Sequence, residues 1–360
     1  MSEFQRILVA AMGICISCPS VASTLLPAAA AIPSAAELLD KYTKAIEERQ
    51  SFISKSEVLS RQDFKFDAGF DPAYLGTAEA VDKQSLELHL RVEFRTDGRC
   101  TRRILYMWGD TGMYSSHDEA RPSYFFSNWD GENYYVHSSV ANDPVRRGVV
   151  QLGGITKGQW ETQFIRHSES WLLGYHGDER LDAILRKARS LTVSDRMEDV
   201  LSSDCYVLKG DTGNGTITLW IDPEHGYNTA KVETIIRTGN PAYNNKVTTT
   251  TKLENVLFKK VDGVWVPMEA DTLKRVDYVI DGKKGYTREQ SHHKRTQFIL
   301  NPDHKALGSF ADPFKSDPHL LNETTVHRHS DPKAYLWRDG KLVPDESHNQ
   351  PTQQRPPARR

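Results

Sequence analysis

This sequence lacks an excess of charge of either sign. Its 360 residues carry 46 Lys and Arg against 48 Asp and Glu, a formal net charge of −2, scattered without a patch. A main nucleic-acid partner would want a basic face, so that class is set aside. Also missing are the short signatures of known chemistry: G-x-S-x-G, H-E-x-x-H, Walker A and G-x-G-x-x-G do not occur. The "GDTGNG" run at 210–215 superficially looks like a phosphate loop. It falls between two strand patterns with no helix after it, so its amides would not be presented at a helix N-terminus. It reads as a hairpin turn. With no site located, the expectation is a non-catalytic protein without metal or cofactor.

A third absence marks the N-terminus, where no charge occurs between Arg6 and Glu37. Inside that span Ile7–Ile16 is apolar, Cys18-Pro19-Ser20 follows, and small residues cluster around Ala22, Ser23 and Ala28–Ala31. That order is a secretory signal peptide, expected over 1–31 with cleavage between Ala22 and Ala31. The expected location is then the periplasm or cell envelope. An uncleaved anchor over Ile7–Leu26 is the alternative, weakened as a lipid-spanning helix by Pro19, Ser17, Ser20 and Ser23. A lipoprotein signal cut before Cys18 is a third reading, with Cys15 where a Leu is usual.

Cysteine is scarce, four in all, and cleavage would leave Cys100 and Cys205. In an oxidising compartment they form a disulfide or remain two separate buried thiols; both readings are open. Histidine is denser towards the C-terminus: His292, His293, His304, His319, His327 and His329, with Asp303, Asp312 and Asp317 among them. On a strand His327 and His329 would share a face, as metal ligands can. No third ligand stands at a diagnostic interval, so solvated surface or partner contacts are expected there. Paired carboxylates for glycoside hydrolysis are not singled out, because Asp and Glu are abundant throughout.

What is present is periodicity. Ser34 and Glu37 have capping-box spacing after Pro33, and Leu38, Leu39, Tyr42, Ala45 and Ile46 then fall on one helical face. "SLELHLRVEF" alternates Leu86, Leu88, Leu90, Val92 and Phe94 with charged or polar partners, and Asp97-Gly98 turns it into "CTRRILYMW". Asp130-Gly131 separates two further aromatic-rich arms. Residues 158–190 lack alternation and fit one or two helices, the second over Asp178–Arg189. From Leu191 to Leu300 strand patterns alternate with tight turns, including Asp262-Gly263 and Asp281-Gly282. Such a meander must curl or close to protect its edges. Beyond Asn301 two short strands are expected about Asp339-Gly340, and 345–360 is expected to be disordered. Aromatics concentrate mid-chain, at Trp108, Tyr124, Phe125, Phe126, Trp129, Tyr134, Tyr135, Trp160 and Trp171. They fill a core or line an apolar pocket between helices and sheet.

The "LLDKYTKAIEERQSF" helix, "DGENYYVH", the "GTITLWIDPEHGYNTAKVE" hairpin and "VDGVWVPMEA" together resemble the LolA-like outer-membrane lipoprotein-sorting family, related to LolB and the sensor domain of RseB. The resemblance covers 35–300. It implies a mainly antiparallel α+β fold: an open, curved half-barrel sheet with a helical lid on its concave face. The segment 301–344 is then an appendage. It also implies a partly unfilled apolar face that binds a lipid or an acylated protein. The residues expected on that face are Leu88, Leu90, Val92, Phe94, Leu219 and Ile221, with Trp129 and Tyr135 as walls; the other reading is that all eight pack the core. The alternative function is a sensor-like envelope module whose outer surface and His-rich C-terminus contact a protein partner. A secreted hydrolase is a third reading.

Overall fold

The computed structural model describes residues 32–69, 85–110, 118–139, 148–153, 173–176, 179–240, 245–329 and 331–347. The expected signal segment 1–31, Trp160, Trp171 and residues 348–360 of the expected tail lie outside the described residues, while Asp345, where that tail is expected to begin, is buried with its amide donating to Ala334 O at 2.9 Å.

The first helix, α1 (Ala35–Glu47), begins as its sequence dictates. The Ser34 hydroxyl accepts from the Glu37 amide at 3.3 Å, and the Glu37 carboxylate accepts from the Ser34 amide at 2.8 Å. Two orphan amides are thereby satisfied. Its buried residues are Leu38, Leu39, Tyr42, Ala45 and Ile46, the whole expected stripe.

Most of the described residues after α1 are strand. In chain order come β1 (Phe52–Phe66), β2 (Ser85–Thr96), β3 (Thr101–Gly109), β4 (Ser123–Trp129), β5 (Tyr134–Ser139) and β6 (Val149–Leu152). A two-stranded ladder, β7 (Tyr175–His176) with β8 (Glu179–Arg180), leads into α2 (Leu181–Arg186). Then follow β9 (Ser190–Val193), β10 (Glu198–Val200), β11 (Ser203–Asp211), β12 (Gly215–Asp222), β13 (Asn228–Asn240), β14 (Asn245–Val261), β15 (Val264–Ile280) and β16 (Lys283–Leu300). The short α3 (Pro313–Ser316) precedes β17 (Thr324–Arg328), β18 (Asp331–Arg338) and β19 (Lys341–Pro344). The helix expected over Asp178–Arg189 is reduced to α2. The chain after α2 is drawn into the sheet, where the Arg189 amide donates to Asp211 O and Ser190 pairs with Asp211.

Among the described residues seventeen strands belong to one sheet. Its edge strands β9 and β10 both pair with β11; the order then runs β12 to β16, β1 to β6, and β17 to β19. All these pairings are antiparallel except β6 with β17. Among the described residues the two ends do not pair, so the sheet is open. The turns are the ones their residues demand: Asp262-Gly263 and Asp281-Gly282 have φ values of 48°, 86°, 50° and 79°. Positive φ at both central positions matches the twist of the flanking strands.

Register shows which side chains share a face, because directly paired residues point the same way. One row runs Leu208, Leu219, Val232, Leu253, Thr272, Ser291, Ser60, Leu88, crossing eight strands. We call this the inner face. At its β11–β15 end α1 and α2 cover it, with Leu38, Tyr42, Leu181 and Leu185 packed on Leu208, Leu219, Ile221 and Val232. At its β1–β4 end Val58, Leu90, Val92, Leu105 and Met107 pack together. Between the two lies a buried polar stripe, where the Ser291 hydroxyl donates to Ser60 Oγ at 2.9 Å. The outer face of β3–β6 is aromatic and is covered by the C-terminal segment. Phe314, Leu320, Tyr335 and Trp337 pack against Tyr124, Phe126, Tyr135 and Val150. The described residues from Pro33 onward thus belong to one unit.

Candidate ligand-binding site

The eight residues expected on an apolar binding face fall in four places. Leu219 and Ile221 lie under α1 and α2 with no exposed surface. Leu88, Leu90 and Val92 pack with Val58, Leu105 and Met107. Phe94 and Trp129 line a cavity of about 190 Å³ between the C-terminal end of α1 and the inner face. Tyr135 is on the other side of the sheet. Trp129 pairs with Tyr134, not Tyr135, and one residue of register reverses the face. Its hydroxyl donates to Asp317 at 3.0 Å in the outer layer, so Tyr135 is no wall of this cavity.

Cys100 and Cys205 do not form the disulfide left open by the sequence; both are free. Cys100 sits in the β2–β3 turn with its thiol donating to Asp130 O, whereas Cys205 is buried in β11 with Val207, Trp220 and Ala230. Among the described residues no group of three His, Cys, Asp or Glu is placed to hold a metal ion.

The cavity is built at the hairpin end of β1–β4. Its walls include Ile46, Phe52, Phe94, Trp129, Leu173 and Tyr175, and its polar residues are Arg49, Gln50, Thr96, Arg99, Thr101 and Arg180. Pairing of Phe52 with Thr96, Thr96 with Thr101, and Thr101 with Trp129 puts these four on the inner face. Phe52 stacks on Phe298 at 4.9 Å and tilts against Phe94 at 5.7 Å, so the rings form a rigid wall. Arg180 is neutralised by two hydrogen bonds to Asp182, at 2.9 and 2.8 Å. Arg49, just past the helix cap at Glu48, folds back so that Nε donates to Ala45 O at 3.1 Å. Burial first, then the charge of Arg295, pull its guanidinium down to about 10. It stays protonated at neutral pH.

The sequence reading missed Arg49, Thr101, Phe52 and Tyr175. For Arg49 a signal existed. It continues the 42, 45, 46 spacing of the buried stripe, and a charged residue in that position is either unburied or employed.

Two other polar places deserve comparison. A larger cleft of about 760 Å³ lies mostly on the outer face, with Lys55, Arg91, Glu93, Tyr106 and His319 among its lining. Its charges compensate one another: Lys55 with Glu93 at 3.8 Å, Arg95 with Glu93 at 2.5 Å, Arg91 with Glu119 at 3.5 Å. Deeper in the outer layer, Asp317 accepts from the hydroxyls of Tyr124 (2.9 Å) and Tyr135 (3.0 Å), the His319 amide (3.0 Å) and His137 Nδ1 (2.8 Å). Both carboxylate oxygens have two donors, and His137 and Asp317 side chains have no exposure. Such a filled cluster has no room for substrate; it ties the C-terminal segment to the sheet.

No known protein family's profile matches the sequence, and no curated protein matches it. Solved structures match in part. One is of lipovitellin and concerns its lipid–protein interactions: TM-score 0.28, 7% identity, 71% of this chain and 26% of that one. The chain thus spans about a quarter of the lipovitellin chain's length. Another is MucB in complex with MucA(peri), with TM-score 0.22 and 8% identity, over 74% of this chain and 99% of that one.

Proposed function

We propose that this chain is an extracytoplasmic binding or carrier protein for a hydrophobic ligand, a lipid or the acyl chain of a lipoprotein, and that it catalyses nothing. In this reading the sheet curves as a half-barrel around its inner face, and α1 and α2 act as the lid on the concave side. The observation that supports it is the ring-walled cavity between α1 and the sheet, where Phe52, Phe94, Trp129 and Tyr175 meet Ile46 and Leu173. Each methylene buried against such walls contributes about 0.8 kcal/mol, so affinity follows from area and requires no reacting group. The cavity alone holds only the first part of a long chain. The rest would lie along the inner face towards Leu88, Leu90 and Val92, displacing side chains that now pack on one another.

The test is direct. Organic extracts of natively purified protein should contain a co-purified lipid by mass spectrometry. A fluorescent fatty acid should bind and be displaced by unlabelled fatty acid. Replacing Phe94 and Trp129 together by Ala should weaken probe binding at least fivefold. Protein that carries no lipid and binds no probe would rule the carrier reading out.

A further inference from the structure

Two buried polar atoms without a protein partner belong to residues that line the same cavity. Arg49 Nη1 and Thr101 Oγ1 are both buried and make no hydrogen bond, and both residues line the space beneath the end of α1. Arg49 is 7% exposed and Thr101 8% exposed. Native structures satisfy the great majority of their buried donors, and an exception points to an absent partner. A guanidinium out of water is the costliest kind of exception, since desolvation disfavours its charge. Here a second guanidinium makes matters worse: Arg295, also buried on the inner face, repels Arg49. Arg295 itself is engaged, with Nη1 donating to Pro267 O at 2.8 Å.

The remaining lining sharpens the point. Among the described residues it contains Arg49, Arg99 and Arg180 and no carboxylate, and of the three Arg180 is held by one, Asp182. Its other described walls are aromatic or aliphatic apart from the uncharged Gln50, Thr96, Gly98 and Thr101. A cavity with surplus positive charge, a free hydroxyl and ring walls fits a small anion attached to an apolar body. Neither a neutral lipid nor a bare anion would use all of these groups. A planar guanidinium donates in parallel to two oxygens of a carboxylate or phosphate. A volume of about 190 Å³ is about that of six waters, enough for a head group and its first few carbons.

We propose that this cavity is the head-group site for an anionic amphiphile, a carboxylate or phosphate on an apolar chain. Arg49 and Thr101 hold the anion, and Phe52, Phe94 and Trp129 hold the adjoining carbons. This rests on the carrier reading above and names the ligand class within it.

Calorimetry on the full-length protein tests it with four probes: decanoate, decyl phosphate, decanol and inorganic phosphate. At least one of the two anionic amphiphiles should bind tenfold or more tighter than decanol. Arg49→Gln should bring that ratio to within twofold while leaving decanol binding as it was, and Arg49→Lys should recover part of it. Circular dichroism checks that the variants fold. Should Arg49→Gln not fold, Thr101→Val and the unmodified protein's own anion-to-alcohol ratio decide. Decanol binding as tightly as both anions overturns the head-group site and leaves the carrier reading standing. Inorganic phosphate binding as tightly as decyl phosphate overturns the amphiphile. Binding of none of the four overturns this site and the carrier reading together.

Discussion

Asp317 shows what a single buried charge does when its surroundings are complete. Burial works to raise its carboxyl, but the hydrogen bond and charge of His137, the His319 amide and the Tyr124 hydroxyl outweigh it and hold the group below its usual 3.8. A carboxyl depressed in the folded state is protonated more readily in the unfolded chain. Its stabilisation is therefore full above about pH 4 and fades as pH falls through the folded-state value. Asp317→Asn should cost about 3 kcal/mol, because it leaves donors aimed at a lost charge. Urea titrations across pH should show that the variant also loses the acid-sensitive part of stability below pH 4. Arg49 is the opposite case, a buried charge whose surroundings are incomplete. The difference between the two is the physical ground for reading one as structure and the other as a binding group.

At the scale of elements, α1 is held by its stripe. Leu39→Ala should destabilise by about 3 kcal/mol, the usual range for a large-to-small change in a packed core; thermal unfolding would show it. In the β12–β13 hairpin, a Cβ on Gly215 would stand 1.8 Å from the backbone oxygen of Ile235. Gly215→Ala should therefore cost about 2 kcal/mol or more, since backbone must move to admit it, and the urea midpoint would fall. These elements were legible beforehand because their patterns are unambiguous: a capping box, period-two alternation, Asp-Gly turns. β1 was not legible. Its inner-face positions include Ser54, Ser56 and Ser60, all buried, so the strand looks polar on the side that packs. The cavity was half legible. Phe94 and Trp129 stand on alternating strands, whereas Arg49 and Thr101 matter only because a helix end and a hairpin meet, and nothing local records that meeting. Tyr135 was misplaced for a related reason: adjacent tyrosines at 134 and 135 face opposite ways, and only the pairing with Trp129 tells which is inside.

For the molecule as a whole, the C-terminal segment proves to be part of the fold. It adds three strands through the parallel β6–β17 pairing and seals the aromatic outer face. Ending the chain at Leu300 should uncover Tyr124, Phe126, Tyr135 and Val150, giving a protein that binds anilinonaphthalene sulfonate and aggregates. Of the histidines in 301–347, His327 and His329 are exposed on β17 and the turn after it, whereas His304 and His319 are half-buried.

The pairing of β1 with both β2 and β16 has a temporal consequence. Phe52 lies beside Thr96 on one side and Leu300 on the other. A polypeptide delivered N-terminus first zips the former contact early and waits through most of its length for the latter. Until the last long strand arrives, one flank of β1 is an open seam, and the two meanders it joins are strangers. Contacts this remote in sequence form slowly and leave sticky half-products exposed. Refolding should accordingly show a slow step in which β1 and β16 acquire amide protection together, well after the hairpins on either side.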